Sequence, residues 1–65
     1  MKGNISSLVI AALKQLGKNN ITQEVQQQIG LALKKESSEN IKHDAQLAPE
    51  WISKLLFSIL KQTEL

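Results

Sequence analysis

His43 is the only histidine in the chain, and it stands beside Asp44. Imidazole chemistry, as a base or a metal ligand, would have to start there, because histidine is the side chain that ordinarily changes charge near neutral pH. A zinc site needs three or four ligands, and no cysteine exists to join His43. Adjacent residues on a helix do not converge on one point, so His43 and Asp44 are not a ligand pair. His43 is expected to be a solvated surface residue. Ser6, Ser7, Ser37, Ser38, Ser53 and Ser58 have no neighbouring base in sequence that would activate a hydroxyl. Gly3, Gly17 and Gly30 lie too far apart to form a phosphate-binding loop. The carboxylates are few and scattered. The expectation is a non-enzymatic protein with no metal, no cofactor and no small-molecule substrate.

The elements that would position these residues are helices. Ile5, Leu8, Val9, Ala12, Leu13 and Leu16 recur at helical spacing and predict a first helix over residues 4–17. Asn4 is its expected cap, and Gly17 its stop. A second helix begins near Asn20 or Thr22, where Asn20 and Gln23 have the spacing of a capping box. Val25, Ile29, Ala32 and Leu33 share its apolar face, with Gly30 inside it. Residues 34–46 admit two readings: the second helix continues as a solvated rod to about Asp44, or it stops near Lys35 and a short helix runs from Ser38 to Gln46. The second is preferred, because Ser37 and Ser38 are better caps than interior residues. Pro49 and Glu50 suit the start of a last helix, which ends near Gln62. On that helix Trp51, Ile52, Leu55, Leu56 and Ile59 form a stripe about 140° wide.

With 65 residues and no cysteine, the chain is expected to be one small helical domain, over 1–65, without disulfides. Such a domain is marginally stable and often gains from self-association. Eight lysines against six acids give a net charge of +2, and there is no arginine. That is a weak electrostatic drive toward nucleic acid, and it lacks the side chain best suited to reading guanine. No stretch is long and apolar enough to span a bilayer, and no secretion signal is evident. A cytoplasmic protein is expected. The last helix carries Trp51 and Phe57 but too few cations for a membrane-surface helix.

One stretch bears on nucleic acid. Ile21-Thr-Gln-Glu-Val-Gln-Gln-Gln-Ile-Gly-Leu31 resembles the first helix and turn of a helix-turn-helix. Val25 and Ile29 take the core positions, and Gly30-Leu31 takes the turn. Gln26 stands where the pattern prefers a small residue, and Glu36 where it prefers an apolar one. The resemblance implies that Lys34, Lys35, Ser37, Ser38 and Asn40 would face the major groove or phosphates. The same eleven residues also read as an ordinary amphipathic helix with a permissive glycine.

The other signal is surplus apolar surface. The expected fold is all-α, a compact bundle of three or four short helices. Its expected core is Leu8, Val9, Leu13, Leu16, Val25, Ile29, Leu33, Trp51, Ile52, Leu55, Leu56 and Ile59. Ile10, Leu31, Phe57 and Leu60 are then left over as a candidate partner-binding set. An aromatic ring on an otherwise polar face is the most informative of them, and Phe57 lies among Ser53, Lys54 and Lys61. The leading expectation is a protein-interaction module or regulator that acts through helix-face contacts. Its partner is another protein or, most simply, a second copy of itself. The alternative is a lysine-only helix-turn-helix regulator that binds DNA through residues 21–42.

Overall fold

The computed structural model describes residues 5–63, and these form four α-helices and no strand. They are α1 (Ile5–Leu16), α2 (Gln23–Leu33), α3 (Ser38–Leu47) and α4 (Glu50–Thr63), with one 3-10 turn at Lys18–Asn20 between the first two. The fold is a small all-α bundle, as the helical periodicity predicts. α4 packs against each of the other three helices, and α1 bridges α2 and α3. The chain between Lys34 and Ser37 is a turn, so α3 is a separate short helix, not a continuation of α2.

Each helix end has an identifiable cause. Gly17 ends α1 with φ 91° and ψ 149°, a region that side chains with a Cβ rarely enter. Its N–H still donates to the Leu13 carbonyl at 3.0 Å. Asn20 does not cap α2. Its side-chain amide donates to the Leu16 carbonyl at 2.7 Å and closes the end of α1 instead. Thr22 caps α2, its hydroxyl accepting from the Val25 N–H at 3.2 Å. Ser37 caps α3 in the same way, accepting from the Asn40 N–H at 3.3 Å. The Pro49 carbonyl accepts from the Ser53 N–H at 2.9 Å, which opens α4 one residue after the proline. The Ser53 hydroxyl then reaches back to the Ala45 carbonyl and satisfies the last turn of α3. The expected cap Asn4 lies outside the described residues.

Gly17 yields a direct expectation. A Cβ built there meets nothing nearer than the Asn20 Nδ2 at 3.7 Å, so the obstacle is conformational rather than steric crowding. Gly17→Ala should therefore cost about 1–3 kcal/mol, the strain of holding alanine in a glycine-only region. A urea titration followed by circular dichroism would show it as a lowered midpoint.

The core consists of Ile10, Leu13, Ile29, Leu33, Ile41, Ala45, Ile52, Leu56, Ile59 and Leu60. Val9, Ile21, Val25, Ala48, Trp51 and Leu55 pack against it while keeping part of their surface in solvent. Four of the expected residues are thus reassigned. Ile10 and Leu60, expected as surplus, are 8% and 9% exposed and belong to the core. Leu8 and Leu16, expected as core, are 66% and 40% exposed.

The exchange on α1 has a physical reason. Ser6 is fully buried at 0% exposure, on the same side as Ile10 and Leu13. Its hydroxyl donates to the Asp44 carboxylate of α3. Its backbone N–H donates to Glu36 Oε2 at 2.7 Å. Glu36 thereby occupies the positive end of the α1 dipole, where a carboxylate is favourable. These bonds turn the Ser6 side of α1 inward. At 100° per residue the buried side is centred roughly 90° away from the middle of the apolar stripe. Ser6→Ala removes a bond to a charged group in a partly buried junction, which is worth about 1.5–3 kcal/mol. Chemical denaturation should report a loss in that range, with the helix content of the folded state unchanged.

Candidate interaction surface

The outward face of α1 follows from that rotation. Leu8, Ala12 and Leu16 are all exposed, and they stand at i, i+4 and i+8 along one ridge. Ile5 and Val9, half-buried, lie along one flank of it, and Ala11 and Gln15 along the other. Lys14 is the only charged residue in the helix, and its position lies roughly opposite Ala12 around the axis. Among the described elements, α1 therefore turns outward an uncharged ridge with a leucine near each end. Scattered single leucines on a surface are ordinary; a contiguous uncharged ridge is the more informative arrangement.

The four residues singled out as a partner-binding set do not form one patch. Ile10 and Leu60 are buried in the core. Leu31 on α2 is 62% exposed, and it lines a shallow groove between α2 and α4 with Gly30, Lys34 and Ile59. Phe57 on α4 is 38% exposed. Leu47, at the end of α3, is 76% exposed and lines a second groove with Ala11 and Lys14 of α1. Sequence reasoning missed Leu8, Leu16 and Leu47. The first two were hidden by their own regular spacing, which reads as a core face.

The helix-turn-helix resemblance meets a displaced turn. Gly30 is buried inside α2 and Leu31 is still helical, whereas the turn runs from Lys34 to Ser37. The expected turn at Gly30-Leu31 is thus four residues too early. The reason is that α2 keeps its apolar register through Ile29 and Leu33, and both are buried. Lys34, Lys35, Ser37, Ser38 and Asn40 are all exposed, at the turn and the first residues of α3. The Ser37 hydroxyl is engaged as the α3 cap. Glu39 shares the exposed side of α3 with Lys42 and Gln46, so this side is not uniformly basic. His43 is exposed, and no three His, Cys, Asp or Glu side chains converge among the described residues. None of the described helices is long and apolar enough to cross a membrane.

These features define a small four-helix all-α bundle. The chain belongs to DUF6088, described as a family of unknown function, whose model matches residues 1–41. The matched stretch takes in α1, α2, the turn between α2 and α3, and the start of α3. No curated protein and no solved structure matches the chain.

Proposed function

We propose that this protein is a non-enzymatic interaction module that works through the apolar faces of its helices. One observation carries the reading: the Leu8–Ala12–Leu16 ridge of α1 is left in solvent by a fold whose core is already complete without it. Burying a leucine side chain is worth about 1.5–3 kcal/mol, so a helix that leaves two of them uncovered retains binding free energy for a partner. The partner is a protein surface of matching apolar character.

A second reading rests on a different observation. Lys34, Lys35, Ser38 and Asn40 are each exposed along the edge that runs from the turn after α2 into the first residues of α3. A DNA-binding protein would use that edge on phosphates. The net charge of +2, the absence of arginine and the acidic Glu36 and Glu39 beside that edge all weigh against it. Fluorescence anisotropy of a labelled duplex separates the two readings. The interaction module should leave anisotropy unchanged at micromolar protein in low salt. Binding that is released steeply as salt rises would overturn it in favour of the DNA reading.

A further inference from the structure

We infer that the occupant of the α1 ridge is a second copy of this chain, bound antiparallel about a two-fold axis that passes at Ala12. The inference rests on the interaction-module reading and names its partner.

The ridge reads the same in both directions. Leu8 and Leu16 each stand four residues from Ala12, about 6 Å to either side along the helix axis. Around the axis each is displaced about 40° from Ala12, in opposite senses. A two-fold interface must be self-complementary, because the same patch supplies both halves. Rotation about an axis through Ala12 lays Leu8 of one copy against Leu16 of the other, twice. It also places the smallest side chains, Ala12 on Ala12, where the two helices come closest. Residues at i±4 form the ridges that interdigitate in the commonest class of helix packing. The charge pattern permits the approach. α1 contains no acid and one base, and Lys14 lies on the side away from the ridge. Within α1, two ridges therefore meet without like charges opposed and without burying an ion.

The size of the surface sets the strength. A twelve-residue helix is about 18 Å long, and one such face is smaller than the roughly 800 Å² per partner of a standard stable interface. The pair is a weak, reversible dimer, with dissociation in the micromolar to millimolar range.

The test uses the full chain in two steps. The unmodified protein is sedimented from micromolar to millimolar concentration beside Leu8→Lys/Leu16→Lys, whose substituted positions are already exposed and cost the fold little. The unmodified chain should approach twice its monomer mass, and the variant should remain a monomer with the same circular dichroism. The chain has no cysteine, so introduced thiols report pairing cleanly. Ala12→Cys should oxidise to a disulfide-linked dimer. Leu8→Cys alone should not, whereas Leu8→Cys mixed with Leu16→Cys should, since only facing positions come within disulfide reach. An unmodified chain that stays monomeric at millimolar concentration overturns the proposal. A lysine variant that still dimerises overturns the α1 pairing alone and leaves the interaction-module reading standing. Cross-linking of Leu8→Cys with itself overturns the antiparallel register.

Discussion

Leu56→Ala should leave most of the chain unfolded in dilute solution at room temperature. Leu56 is 0% exposed, near the middle of α4, which touches all three other helices. Truncating a buried leucine costs about 2–5 kcal/mol, partly as lost transfer free energy and partly as the cavity left behind. A single core of this size supplies no more than about 3–5 kcal/mol of net stability, and with no cysteine in the chain no disulfide adds to it. The loss therefore matches the whole stability. Far-UV circular dichroism should show much of the helical signal gone, with no sharp thermal transition. A cooperative transition at an unchanged midpoint would mean that the core does not converge on α4.

Ile41→Ala should have a more local result of comparable size. Ile41 is 1% exposed, and on α3 its only buried companion is Ala45. Ser38, Glu39, Asn40, Lys42, His43 and Gln46 are polar and exposed, and Leu47 at the end of the helix is 76% exposed. A ten-residue helix is marginal in water by itself, so α3 exists because Ile41 fastens it to the core. Removing that side chain costs about 2–5 kcal/mol, and the first structure lost is α3. Hydrogen exchange should then show the amides of residues 38–47 losing protection well ahead of those in α4. Uniform loss along the chain would mean that α3 does not open as a separate unit. Sub-global opening of this kind is expected where few apolar contacts hold an element.

The contrast between α3 and α1 shows what the residues themselves make legible. Helix positions follow from local chemistry, and they were readable: Gly17, Thr22, Ser37 and Pro49 all act at helix ends. The separate α3 was readable from its two serines and from the Ile41–Ala45 pair. Helix orientation depends on partners remote in sequence, and there the apolar stripe misleads. Nothing near Ser6 indicates that Glu36 and Asp44, some thirty and thirty-eight residues away, will bind it and roll α1 inward on that side. Ile10 becomes core by the same rotation, and Leu8 and Leu16 become surface. On α4 the buried arc lies further round than the stripe through Trp51 suggests. Leu60 is taken into the core, and Trp51 remains half-buried at its edge. The surplus on Leu31 and Phe57 was visible from spacing alone, because each lies well away from the buried side of its own helix.

The uncovered apolar ridge of α1 is proposed to pair with the same ridge of a second copy of the chain. Sedimentation equilibrium of the unmodified chain, from micromolar to millimolar concentration, is the most direct measurement. The average mass should climb above 7.2 kDa as concentration rises. A single species of 7.2 kDa across the whole range would rule out that pairing.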